Sequence, residues 1–130
     1  MAERKAGRGA PDKRQAERHG RRSETFAALL LQMKLYRILG RRVRTPLGEI
    51  DLIARAPFGP VCFVEVKARG DEMQASDAIA SRQQARIARA AAHYLASRPG
   101  LASKGARFDV ISVIPGRLPR HIVDAWRADD

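Results

Sequence analysis

Cysteine, aromatic rings and long apolar runs are all scarce in this chain, and each shortage removes a class of function. Cys62 is the single cysteine, so an intramolecular disulfide and a multi-cysteine zinc site are both excluded. It stands in an apolar, strand-like run where a buried thiol is expected, and the cytoplasm is the expected compartment. Aromatic residues make up 5%, which leaves few platforms for stacking single-stranded bases. No stretch of about 18 apolar residues occurs, so no segment is expected to span a bilayer and no membrane partner is expected. The start of the chain, MAERKAGRGAPDKRQAERHGRR, carries charge but no apolar core, unlike a signal peptide. His19, His93 and His121 lie far apart without metal-ligand spacing, and ordinary surface or structural roles are expected for them. Acidic residues are also short, 14 against 25 Lys and Arg, giving a net charge of +11. Such a field draws polyanions, nucleic acid first and anionic membrane second.

What is present fits one domain with a tail. The chain has 130 residues, 45% hydrophobic and 30% charged, which are globular values. Residues 1–17 mix Gly, Pro, Ala and charge without apolar periodicity, as a flexible basic arm would, and 18–130 form the domain. From about Arg18 to Leu35 the pattern is helical. Phe26, Leu29, Leu30 and Met33 make one stripe and Ala27, Ala28, Leu31 and Leu35 an adjoining one, predicting a mostly buried helix. Glu24 begins the second stripe, so its carboxylate should face the packing surface, which is costly unless a cation waits there. An exposed first-turn Glu at the positive end of the helix dipole is the alternative.

YRILGRRV, EIDLIA and VCFVEVKA follow as strands joined by TPLG and APFGP turns, which predicts an antiparallel meander. A second helix is predicted from about Ala75 to Ser97, ended by Pro99 and Gly100. Ala88, Ala91, Ala92 and Leu95 form its apolar face, while Arg82, Arg86, Arg89 and His93 line the other. Charge of one sign favours phosphate contact, with a merely solvated face as the alternative. RFDVISVI is a fourth strand and HIVDAW a short last one. Helix, three strands, helix and one or two strands predict an α/β sandwich around a mixed sheet of four to five strands flanked by helices.

Three charges break the apolar strands. Alternation puts Asp51 on a face with Glu49 and Ile53, and Glu65 and Lys67 on a face with Phe63. If the APFGP turn centres on Phe58, Ile53 lies opposite Phe63 and Asp51 opposite Glu65. By the same alternation Ile50, Leu52, Val64 and Val66 pack together on the other side. Carboxylates facing each other across a strand pair repel, and Mg²⁺ would offset that cost while keeping waters and substrate phosphates in its shell. Lys67 adds a point charge suited to a phosphate oxygen or an activated water. A metal, a cation and a phosphodiester are together the requirements of metal-assisted hydrolysis. Lys at position 67 also goes against the chain's habit, since 20 of its 25 basic residues are Arg. The bland alternative is a Glu65–Lys67 pair on an exposed sheet edge.

An acidic residue followed across a hairpin by Glu-x-Lys, here Asp51 and then Glu65-Val66-Lys67, resembles the restriction-endonuclease-like, or PD-(D/E)XK, nuclease superfamily. GEIDLIA, FVEVKAR, the Glu24 helix with Ala27, the Arg-bearing helix and RFDVISV together look like the uncharacterised YraN-like bacterial family, from about His19 to Trp126. The layout also resembles archaeal Holliday-junction resolvases. The resemblance implies a restriction-endonuclease-like α/β/α sandwich with Asp51 and Glu65 as ligands of Mg²⁺ or Mn²⁺. It implies Glu24 as a further ligand, directly or through water, Lys67 as the residue that activates or orients water, and Glu49 in a supporting place. Gln83 stands where the related pattern has a Lys early in the second helix, and it joins Arg82, Arg86 and Arg89 as a nucleic-acid contact.

The resulting expectation is a DNA-processing endonuclease of the repair or recombination type. The alternatives are a non-catalytic nucleic-acid-binding accessory protein on the same fold and a basic RNA- or ribosome-associated protein. Junction cleavage would need two sites, and hence a homodimer.

Overall fold

The computed structural model describes residues 13–68 and 77–128. Helix α1 (Lys13–Met33) leads into β1 (Arg37–Thr45), β2 (Gly48–Arg55) and β3 (Val61–Lys67). Helix α2 (Asp77–Ala96) and the single turn α3 (Pro99–Ala102) then precede β4 (Ala106–Ser112) and β5 (Arg120–Trp126). The five strands lie in sequence order, β1-β2-β3-β4-β5. All neighbours are antiparallel except β3 and β4, which run parallel. A parallel neighbour requires a crossover, and the segment carrying α2 supplies it.

The sheet is covered on both sides, which makes the fold an α/β sandwich. On one face Ala27, Ala28 and Leu31 of α1 pack against Leu52, Ala54, Cys62, Val64 and Ile111. On the other, Ala90, Ala91 and Tyr94 of α2 pack against Ile50, Ile53, Val61, Phe63 and Phe108. Both central strands are therefore apolar along their middles, as strands covered on two faces must be. Burying a side chain the size of Leu31 contributes about 2 kcal/mol.

Several expectations change. Helix α1 starts at Lys13, ahead of Arg18, because KRQAER is rich in strong helix formers although it lacks apolar periodicity. The rest of the expected arm, residues 1–12, lies outside the described residues. One stripe of α1 is buried, but the helix is not mostly buried: Phe26, Leu29 and Met33 are exposed, as is Leu35 just beyond its end, since the helix touches one face of the sheet along one side. On α2 the buried face centres on Ala90, Ala91 and Tyr94, with Ala92 exposed. The expected face was rotated because the large Tyr94 ring, which meets Phe63 edge-on with ring centroids 6.1 Å apart, sets the contact. Residues 75 and 76, where that helix was expected to start, are outside the described residues.

Candidate functional site

The site is made where β2 leaves its ladder. Pairing of β2 with β3 runs from Arg55↔Val61 through Ile53↔Phe63 to Leu52↔Val64 and ends there. The Ile53–Phe63 register is the expected one, but the ladder pair Asp51–Glu65 is not formed. Instead Asp51 Oδ2 accepts the backbone N–H of Val66 at 2.8 Å. Ile50 consequently packs on the α2 side rather than with Leu52, Val64 and Val66 on the α1 side. Strict alternation fails because β2 rotates at Asp51, which carries the carboxylate to the rim of the sheet.

Around that rim stand Glu24, Glu49 and Glu65. Burial pushes the Asp51 carboxyl up to about 6; the Val66 N–H opposes this, and the negative charges of Glu24, Glu65 and Glu49 add to it. Among the described residues no cation pairs with Asp51. Burial also raises the Glu65 carboxyl, and the nearby charge of Lys67 lowers it. Lys67 is exposed at the end of β3, where its carbonyl accepts the Val113 N–H at 2.7 Å.

Each of the other carboxylates has a partner. Glu24 is 7% exposed and receives Arg42 Nε at 2.9 Å. It faces the packing surface and meets a cation there, as its place on the helix demanded. Glu65 receives Gln83 Nε2 from α2 at 2.6 Å. Gln83, expected as a nucleic-acid contact, is exposed on α2 and donates to this carboxylate. Glu49 pairs with the exposed Arg44 at 3.4 Å.

Glu49, Asp51, Glu65, Gln83 and Arg86 share a cleft of about 170 Å³. Arg86 enters it because Gly48, at φ +150°, lets the arginine stem lie against the hairpin; a Cβ there would come within 3.0 Å of Arg86 Cγ. Arg82, Arg86, Arg89 and His93 are exposed along α2, so the basic stripe faces solvent beside the acidic cleft.

The donor set suits a hard dication. A largely buried carboxylate without a cation, raised by three further carboxylates, is an arrangement that Mg²⁺ or Mn²⁺ would relieve. Yet among the described residues no group of three or more His, Cys, Asp or Glu side chains is gathered to hold an ion as it stands. Glu24 is engaged by Arg42 and Glu65 by Gln83.

A second charged group escaped the sequence reading. Asp109, fully buried on β4, receives Arg107 Nε and Nη2 at 2.9 and 2.8 Å and the Asp124 N–H at 3.0 Å. His121 Nε2 lies 2.8 Å away, and His121 Nδ1 is 2.7 Å from Lys34 Nζ. With Lys34 donating to Nδ1, the ring proton sits on Nε2 and is donated to Asp109. Arg107 also donates to the Tyr36 hydroxyl at 2.7 Å. Burial alone would raise the Asp109 carboxyl, but the bonds from His121, Arg107 and the Asp124 N–H hold it far below the usual carboxylate range. The available signal was Arg-x-Asp at same-face spacing inside RFDVISV. This network joins β4 to β5 and to Lys34 and Tyr36, which lie between α1 and β1.

Fold and site together define an α/β protein with an acidic cleft at the sheet rim and a basic helix beside it. The chain belongs to the uncharacterised protein family UPF0102, whose model matches residues 23–113. A UPF0102 protein of Parvibaculum lavamentivorans is 51% identical over 112 residues, covering 86% of this chain and 84% of that protein. One from Paramagnetospirillum magneticum is 49% identical over 118 residues, covering 88% and 91%. One from Caulobacter sp. strain K31 is 50% identical over 107 residues, covering 82% and 76%. No helix among the described residues is long and apolar enough to cross a membrane.

Proposed function

We propose that this protein is a metal-dependent endonuclease of the restriction-endonuclease-like, PD-(D/E)XK type, hydrolysing DNA phosphodiesters in repair or recombination in the cytoplasm. The observation that carries the reading is Asp51: a largely buried carboxylate, unpaired by any cation among the described residues, with Glu24, Glu49 and Glu65 acting on it. A fold with no use for a dication gains nothing from that arrangement.

Asp51 and Glu65 would hold Mg²⁺ or Mn²⁺, and Glu24 would join them directly or through water. The ion, when bound, lowers the pKa of a coordinated water and stabilises charge on the attacked phosphate. Lys67, exposed at the end of the same strand, orients that water and neutralises a phosphate oxygen. Gln83 fixes the Glu65 carboxylate through its 2.6 Å bond. Arg82, Arg86 and Arg89 grip the backbone across the cleft, contacts that carry affinity but little sequence preference.

The test is a cleavage panel of duplex, nicked, flapped, single-stranded and four-way-junction DNA with Mg²⁺ or Mn²⁺, comparing wild type with Asp51→Ala and Lys67→Ala. Wild type should cut at least one substrate only with the metal, and each variant should lose at least about 100-fold, the scale of removing one electrostatic stabiliser. No cleavage across the panel would sink the reading.

A second reading is favoured by the Arg42–Glu24 and Gln83–Glu65 contacts, which engage two of the ligands: a nucleic-acid-binding accessory protein without turnover. It predicts steeply salt-dependent binding that Asp51→Ala leaves intact, with no metal dependence.

A further inference from the structure

Arg42 has an unusual backbone and an unusual partner. It lies within β1 at φ +50°, a left-handed conformation that L side chains rarely adopt. The neighbouring pairs are Arg41↔Leu52 and Val43↔Ile50, so the register sets Arg42 opposite Asp51, at the point where β2 rotates. From there its Nε donates to Glu24 Oε1 at 2.9 Å. The side chain of Glu24 is 9% exposed and that of Arg42 38%. One end of the ion pair is therefore sealed in the fold and the other reaches solvent. A strained residue retained against its conformational preference points to function when its side chain meets a candidate site.

The pairing also bears on the cleft. Glu24 raises Asp51 from nearby but is held by Arg42, and among the described residues no group of three or more His, Cys, Asp or Glu is gathered to hold an ion. Guanidinium binds phosphate as readily as carboxylate, and a phosphate arriving at the sheet rim competes for it.

We propose that Arg42 is a positioning residue that senses substrate: a nucleic-acid phosphate draws its guanidinium off Glu24, and the freed carboxylate completes the divalent cation's shell. The inference rests on the nuclease reading above and adds that nucleic acid and cation bind with positive cooperativity. Without nucleic acid the Arg42–Glu24 pair keeps cation affinity low, which limits occupation of the site away from substrate.

The experiment measures Mn²⁺ affinity by calorimetry and by the electron paramagnetic resonance of free Mn²⁺, with and without a phosphorothioate-substituted DNA duplex or four-way junction. Proteins are wild type, Arg42→Gly, Glu24→Gln, the double variant and Asp51→Asn. Glycine suits φ +50°, so Arg42→Gly relieves the backbone while removing the guanidinium. In wild type, DNA should tighten Mn²⁺ binding about tenfold or more, within the range of coupled sites. Arg42→Gly should bind Mn²⁺ several-fold more tightly than wild type without DNA and show less coupling. In the Glu24→Gln background Arg42→Gly should change Mn²⁺ affinity little, whereas a general effect of lost positive charge would persist. Persistence, or wild-type binding of both ligands without coupling, overturns the inference and leaves the nuclease reading standing. Absence of Mn²⁺ binding that depends on Asp51, or of DNA binding, overturns the reading and the inference together. The wild-type coupling measurement needs no variant to fold.

Discussion

Asp51 and Asp109 are two aspartates of one sheet with opposite surroundings. Asp109 has Arg107, His121 and the Asp124 N–H around it, and its charge is held. Asp51 has one backbone N–H and three carboxylates, and its charge is opposed. A fold gains cohesion from the first and none from the second. The difference separates a carboxylate that the structure uses from one that the structure tolerates.

The comparison is broken most sharply at Asp109. Removing one partner of a buried ion pair leaves the others uncompensated and costs about 3–5 kcal/mol. Asp109→Ala strands Arg107 and takes the acceptor from His121, so urea denaturation should show a loss of that size. A loss under about 1 kcal/mol would mean that the network is ornamental, and the contrast with Asp51 would collapse.

The sequence made one of these aspartates legible and hid the other, for physical reasons. Asp51 stood out because Glu65 and Lys67 repeat the charge in the next strand, and the hairpin through Phe58 set Ile53 opposite Phe63 correctly. Alternation then overreached, since a strand that rotates at Asp51 no longer alternates, and Ile50 changed sides. Asp109 was harder to see: Arg107 stands two residues away on the same strand, but His121 and the Asp124 N–H come from β5, a neighbour that only tertiary structure supplies. Arg42 was hidden for the same reason: among many arginines, nothing local distinguishes the one with left-handed backbone and a buried acceptor. The helix–strand order and the two-sided cover of the sheet followed from periodicity, which needs no long-range information.

A smaller effect should appear at Asp51, with the opposite sign and a dependence on pH. Its carboxyl is raised from 3.8 to about 6 in the folded protein. Between those values the folded state holds a proton that the unfolded state has released, so stability falls as pH rises. The cost is absent below about pH 4 and complete above about pH 6. Asp51→Asn keeps an acceptor for the Val66 N–H and removes the charge, so it should stabilise by about 1–3 kcal/mol at pH 7.5 and by little at pH 4. Mn²⁺ should raise the melting temperature of wild type but not of this variant. A variant less stable than wild type at pH 7.5 would show that Asp51 is compensated after all.

The smallest effect belongs to Glu49 and its partner Arg44, which lie at the mouth of the same cleft but in water. Their contact is 3.4 Å, with the arginine side chain 88% exposed and the glutamate 46%. Exposed pairs of this kind contribute about 0–1 kcal/mol, and less as salt rises. Arg44→Ala should therefore shift stability by no more than about 0.5 kcal/mol, and 0.5 M NaCl should erase even that. Ion pairing alone does not give Asp109 its weight; burial does, because it makes the partners irreplaceable by water. A loss at Arg44 comparable with that at Asp109 would show that burial is not what separates the two ends of the sheet.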